Sequence, residues 1–429
     1  MSTTAPPPSR ERLVALLRQA SELEHSLCCQ YLYTIFSLRR LRSDYPQRLA
    51  QDPQVELMMT ATQRWAADLF AVAREEMEHL AIATNLLTAV GERPHFEHGD
   101  FPDPTVASVL GNPAALERLN GTTLRRYQHV ERPNWGGTVA SRPPVTAIYL
   151  EINSLFQSLP AATLFRGDGL RQVTPDDVEL GISMTILPVT SRATASAAIN
   201  LILQQGEGLG AMPTDQTTHY ERFTRTLTDY RQLRASSKSK VAPSLPVVTN
   251  PVSRPGPDGQ VPDGATLVTN PFSAAVMDLF NEGYRLMLIM LQEFMWGFRG
   301  YSGPIEAVEA LATPAQLASD RLVTILSENA LFPFMTMFIR PLGELLARQP
   351  AFVDTRDPAR AGAAFQTGGA IPIWRDVHLY ANGLGQLAAH AQRLSQEAPT
   401  AEVRDSLTYL TQNLSRMRSN VLAVWNHGN

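Results

Sequence analysis

Apolar side chains recur at alternating spacings of three and four residues along much of this chain, and that periodicity restricts it to helices buried on one face. In the first such stretch Leu13, Leu17, Ala20, Glu24, Leu27, Tyr31 and Leu38 form one stripe, with Thr34 filling the remaining place. In the second, Leu69, Val72, Glu76, His79, Ala83, Leu86 and Val90 repeat the arrangement. Both stripes are interrupted by ionisable groups: Glu24 in the first, Glu76 and His79 in the second.

The periodicity predicts long helices over 9–42, 54–91, 143–160, 190–207, 213–235, 272–299, 314–348, 374–396 and 400–425. Alternating strands are almost absent, with short pieces near 178–187 and 247–268 the only candidates for pairing. The expected class is therefore all-α. Two stretches rich in Pro, Gly, Asn and Ser, 92–142 and 236–271, break the pattern and read as long loops. The second carries Val-Thr-Asn-Pro twice, at 248–251 and 268–271. A chain of 429 residues exceeds what one core normally fills. The division expected is a metal-binding helical domain over 1–235, a connector over 236–271 and a C-terminal helical lobe over 272–429 packed on the first.

A net charge of −4 provides no basic field for a phosphate backbone, so nucleic acid is not an expected partner. The N-terminal run Met-Ser-Thr-Thr-Ala-Pro-Pro-Pro has no apolar core, and Gln292 and Glu293 interrupt the apolar stretch 286–298. Neither a secretion signal nor a membrane span is expected. The two cysteines, Cys28 and Cys29, are adjacent and make no disulfide framework, which points to a reducing cytoplasm.

A spacing of three puts Glu76 and His79 on one helical face, and Glu-x-x-His is the pair that dimetal sites in bundle cores use. Isolated buried carboxylates are costly, whereas a cation between them offsets both desolvation and repulsion. Glu75 and Glu78 fall off the stripe. Further candidates are Glu151, within apolar 148–152, Glu207 at the end of 199–208, and His219 at the start of the next helix. An ordinary helix-end charge is an equally good reading of Glu151 and a somewhat weaker one of Glu207. The set Glu24, Glu76, His79, Glu151, Glu207 and His219 would have the composition of a dimetal centre. Blander readings fit other residues: Cys28 as a small hydrophobe, His25 on the helix surface, and Met287, Met290, Met295 and Trp296 as core packing. Glu293 and Glu328 read as partnered polar groups or pocket lining, and His95, His98 and His129 as loop residues facing substrate or solvent.

Glu22-Leu23-Glu24-His25, Gln30-Tyr31-Leu32, Glu75-Glu76-Met77-Glu78-His79-Leu80 and Gly91-Glu92-Arg93-Pro94-His95 resemble a ferritin-like family that includes the iminophenyl-pyruvate dimer synthase of violacein biosynthesis. Gln205-Gly206-Glu207-Gly208, His219-Tyr220-Glu221-Arg222-Phe223, Arg340-Pro341-Leu342-Gly343 and Ala361-Gly362-Ala363-Ala364-Phe365 are similar to later elements of that family. The resemblance implies a ferritin-like bundle in which Glu24, Glu76, His79, Glu207 and His219 are ligands. Two positions depart from it: Gln216 stands where a glutamate is expected, and Leu27-Cys28-Cys29 where an apolar-proline run is expected. Glu151 is then the alternative source of the missing carboxylate.

Ligand set and resemblance together lead us to expect an iron enzyme, with one or two ions and with manganese or zinc as alternatives. It would act on an amino-acid-derived small molecule by oxidation or oxidative coupling in specialised metabolism, with Tyr31 or Tyr149 supplying a proton or hydrogen bond. Imine dimerisation without oxygen chemistry is the second reading. A non-enzymatic metal-binding scaffold is the third, and the long loops and the second lobe argue against it. Self-association into a homo-oligomer is compatible with all three.

Overall fold

In the computed structural model the residues described are 8–49, 52–133, 144–166, 172–174, 185–207, 217–236, 241–256, 258–296, 321–354 and 356–427. The architecture is all-α. Helix α1 (Arg10–Phe36) starts where Ser9 accepts a hydrogen bond from the Arg12 amide, and α2 (Pro53–Ala89) where Asp52 caps Gln54 with Pro53 in the first turn. The two run antiparallel. Arg10 bonds the Val90 carbonyl, Cys28 the Ala73 carbonyl, and Thr62 the Arg39 carbonyl, so each step up one helix is a step down the other.

The stretch expected as a loop over 92–142 holds two helices, the short α3 (Ala107–Leu110) and α4 (Gly121–Val130). Asn120 caps α4 by accepting from both Thr122 and Thr123, at 2.7 and 3.0 Å. Then follow α5 (Pro144–Ser158), α6 (Ala161–Leu164), α7 (Arg192–Glu207) and α8 (His219–Ser236). Thr218 and Glu221 fix the start of α8 reciprocally, each side chain bonding the other's amide at 3.2 and 3.0 Å. Helix α5 packs on α1 and α7, and α8 on α2, α4 and α7, which closes the bundle around α1 and α2.

The one sheet among the described residues pairs β1 (Pro251–Val252) with β2 (Thr266–Leu267) in parallel, inside the stretch read as able to pair. Most of the other candidate stretch, 178–187, lies outside the described residues. Helices α9 (Pro271–Trp296), α10 (Arg321–Leu346), α11 (Val377–Gln396) and α12 (Ala401–His427) complete the chain. Helix α10 widens to π-turns at Ser327–Leu331 and Met335–Ile339, each just before an internal proline, Pro333 and Pro341. The carbonyl four residues before Pro341, that of Met337, accepts instead from Asn413 at 3.1 Å. By length and composition α10 is apolar enough to cross a membrane, and 56 % of its apolar window is buried inside this protein.

One buried hydrophobic cluster runs from Leu13 to Val421 through both halves. The first half meets the second where Phe36 packs on Gly343 and where the buried Asp44 takes a two-pronged bond from Arg348 at 2.7 and 3.1 Å.

Candidate metal centre

Antiparallel packing sets Glu24 of α1 against Glu76 and His79 of α2, all three buried. His79 Nδ1 lies 3.3 Å from Glu76 Oε2 and 3.5 Å from Glu24 Oε2. The capped start of α8 carries His219, whose Nδ1 is 3.2 Å from Glu76 Oε1 and 3.5 Å from Glu131 Oε2. Glu131 follows the last turn of α4. These residues make two overlapping donor groups, Glu24/Glu76/His79 and Glu76/Glu131/His219, in each of which one ligand atom per residue lies within 4.8 Å of the others. Glu76 belongs to both.

The surroundings aim these groups inward. His79 Nε2 is 3.0 Å from Gln205 Oε1 and His219 Nε2 is 3.0 Å from Glu75 Oε2. Both outer partners are acceptors, so each imidazole keeps a proton on Nε2, and it is loss of the second proton that would turn an Nδ1 lone pair to the centre. Tyr149 donates its hydroxyl to Glu24 Oε1 and Tyr31 donates to Glu131 Oε1, leaving the second oxygen of each carboxylate for the interior. Both phenols are buried, and burial followed by the neighbouring carboxylate pushes their pKa well above the usual value, so they stay proton donors.

The cluster's own electrostatics are strained. Burial, then the charge of Glu76, pushes Glu24 up to about 7. Burial opposes the charging of His79, but Glu24 and Glu76 outweigh it and raise the imidazole to about 10. His219 is raised well above its usual value against the same burial, chiefly by Glu76. Burial likewise works against ionised Glu76, and His219 wins, holding it below the ordinary carboxylate range. Two atoms have no hydrogen-bond partner at all: Glu76 Oε1 and His219 Nδ1 are buried, close, and misaligned for a bond to each other. A donor pair that is buried, convergent and unsatisfied fits a cation between its members. Gly206 leaves the space open, since a side chain there would start 3.5 Å from Glu131 Oε2 and 4.0 Å from His219 Nδ1.

Of the six residues expected as ligands, Glu24, Glu76, His79 and His219 converge. Glu151 does not. It is exposed and bonds Arg12 at 2.8 and 3.0 Å, because on α5 it is Tyr149, with Ile152 and Phe156, that faces the bundle. The side chain of Glu207 and all of Gln216 lie outside the described residues. Glu131 was missed, although Leu124, Tyr127 and Val130 at a spacing of three behind Asn120 were a usable signal for the helix that delivers it. Glu75 and Glu78, read as off the stripe, are buried: Glu75 holds His219, and Glu78 accepts from Gln205 and from the Thr185 amide. His25, expected on the helix surface, is buried as well. His95 pairs with Glu22 at 2.7 Å and His129 is exposed. Glu328 is exposed, while buried Glu293 lies 3.7 Å from Arg375, remote from the centre.

Comparison with known proteins agrees with the all-α, ferritin-like fold. Residues 17–228 match the ferritin-like family model. The chain is 28% identical over 392 residues to dichlorochromopyrrolate synthase of Lentzea aerocolonigenes, covering 83% of this chain and 36% of that protein. It is 28% identical over 432 residues to 2-imino-3-(indol-3-yl)propanoate dimerase of Chromobacterium violaceum, covering 93% of this chain and 38% of that protein. The chain thus spans under two fifths of the length of these relatives. A crystal structure of a ferritin like protein from Caulobacter vibrioides aligns over 65% of this chain and 85% of that one, at 17% identity and a TM-score of 0.39. The helix order, the buried Glu-x-x-His pair and the family match establish that the chain carries a ferritin-like domain across residues 17–228.

Proposed function

We propose that this protein is a metal-dependent enzyme that couples two molecules of an amino-acid-derived 2-imino acid, oxidatively, at a dimetal centre. The observation that carries the reading is Glu76, shared between two donor groups and flanked by imidazoles whose outer nitrogens are already engaged. Glu24 and His79 would hold one ion, Glu131 and His219 the other, and Glu76 would bridge them. Three carboxylates and two imidazoles accept iron, manganese and zinc alike. When bound, such ions supply redox capacity and Lewis acidity.

The substrate class comes from the relatives, one of which is named for dimerising a 2-imino acid. Joining two such molecules through carbon removes two protons and two electrons, which dioxygen takes up. The chain's own residues have defined parts in this. Tyr149 and Tyr31 hold Glu24 and Glu131 in place and keep a hydroxyl proton beside the centre. Gln205 and Glu75 fix the imidazoles, and Ile202, Leu203, Leu27 and Val145 give the small cavity at the centre an apolar wall. Two buried free thiols, Cys28 and Cys29, are in keeping with a reducing cytoplasm.

The test is elemental analysis of anaerobically purified protein together with turnover of a 2-imino-3-arylpropanoate. Two ions per chain and oxygen uptake are expected, both lost in Glu76→Ala and His79→Ala. Full activity in those variants refutes the reading.

A further inference from the structure

On another face of α1 from the carboxylate centre, the structure buries a second polar cluster. His25 and Cys29 lie one turn apart on α1, His98 comes from the segment after α2, and Tyr284 from α9. Among the described residues His25, Cys29 and His98 are a third group whose ligand atoms fall within 4.8 Å of one another. The Tyr284 hydroxyl sits in their midst, 2.6 Å from His25 Nε2, 2.9 Å from His98 Nε2 and 3.2 Å from Cys29 Sγ.

The protons in this cluster do not balance. His25 Nδ1 is 2.9 Å from the Phe96 carbonyl and His98 Nδ1 is 2.7 Å from the Gly99 carbonyl. Carbonyls only accept, so both rings carry their proton on Nδ1. The two rings are buried with centroids 4.6 Å apart, and in their neutral forms this proton placement turns both Nε2 atoms, unprotonated, toward the Tyr284 hydroxyl. Two bare Nε2 lone pairs then face one phenol with one proton to give. The Cys29 thiol can donate only to the phenol oxygen. One imidazole lone pair is therefore left aimed into a buried space with no donor, a costly arrangement in the absence of a cation.

We propose that His25 Nε2, His98 Nε2 and Cys29 Sγ form a second, mononuclear metal site, separate from the carboxylate centre and selective for a zinc-class divalent cation. Two imidazoles and a thiolate are the donor set of tetrahedral zinc, with the Tyr284 oxygen or a water in the fourth place. Binding releases one proton, that of the Cys29 thiol, and no electrons move. The remaining positive charge faces Asp103, a buried carboxylate held by the Gly99 and Thr105 amides, whose charge both Cys29 and His98 feel. Access runs through an apolar cavity of ≈ 240 Å³ whose wall includes His25, Cys29 and Tyr284. The ion is a clip that ties α1, the segment after α2 and α9 together.

Cobalt(II) titration of the chelator-treated full chain tests this, because thiolate ligation gives a charge-transfer absorption that the sulfur-free carboxylate centre cannot produce. The band is expected in the wild type, in Glu76→Gln and in Cys28→Ser, and is expected to vanish in Cys29→Ser. Should Cys29→Ser fail to fold, His98→Gln decides instead, with cobalt affinity expected to fall by at least about 10-fold. No charge-transfer band in the cobalt-saturated wild type overturns the proposal. So does a band that survives Cys29→Ser, one lost in Cys28→Ser, or unchanged affinity in His98→Gln.

Discussion

Glu24→Gln should stabilise the metal-free protein above neutral pH and lose most of that advantage once metal is bound. In the metal-free protein Glu24 is buried beside Glu76, and its carboxyl is raised from 4.5 to about 7. A group raised on folding contributes stability that is complete below its unfolded value and disappears as pH climbs through the folded one. Ionised Glu24 therefore costs the native state about 3 kcal/mol above pH 7, from ~1.4 kcal/mol per pH unit. Glutamine does not titrate, and its carbonyl still accepts from Tyr149. With chelator present the variant should match the wild type near pH 4.5 and exceed it by up to about 3 kcal/mol at pH 8. With manganese or iron at about 100 times the dissociation constant, the wild type gains about 2.7 kcal/mol. The variant loses most of that gain, because the ion it shares with His79 has lost a charged ligand. Denaturant melts at the two pH values, with and without metal, read both quantities. An equal loss of stability in all four conditions would refute the reasoning and make Glu24 merely a packed acceptor for Tyr149.

Two further predictions follow from the geometry. His79 is raised from 6.5 to about 10, so metal-free protein should lose stability as pH rises from 6.5 through about 10, whereas metal affinity should rise over that range as the proton leaves; pH-dependent melts and metal titrations that trend in the same direction would contradict it. Gly343→Ala would bring a methyl 2.4 Å from Phe36 where the two halves meet, and the overpacking should lower stability by about 1–3 kcal/mol in urea melts while leaving metal stoichiometry intact.

Glu24, Glu76 and His79 were legible in the sequence because their placement is a local matter. A spacing of three or four fixes which residues share a helical face, and α1 and α2 are long enough to make the stripe unmistakable. His219 was reached from its place at the head of a helix and from the family resemblance, and the Thr218–Glu221 cap that fixes that start is a finding of the structure. The nine expected helices all have counterparts among the described residues, α1 stopping at Phe36 and the described part of the seventh beginning at Arg321.

What periodicity does not carry is the neighbour's contribution. Glu131 reaches the centre from a short helix hidden in a Pro- and Asn-rich stretch, and only the packing of α4 on α8 gives it a role. Glu151 sits among apolar residues in sequence yet points to Arg12, because Tyr149 takes the inward place on α5. Glu75, Glu78 and His25 look like surface residues on an isolated helix; they are buried because α1 and α2 are covered on more than one side, by α7 and α8 and by α9. The sequence alone determined the nine long helices and the apolar stripes of α1 and α2, since both follow from backbone geometry within a few turns. Tertiary structure decided which polar groups share a site, because that depends on residues far apart in the chain meeting across helix interfaces.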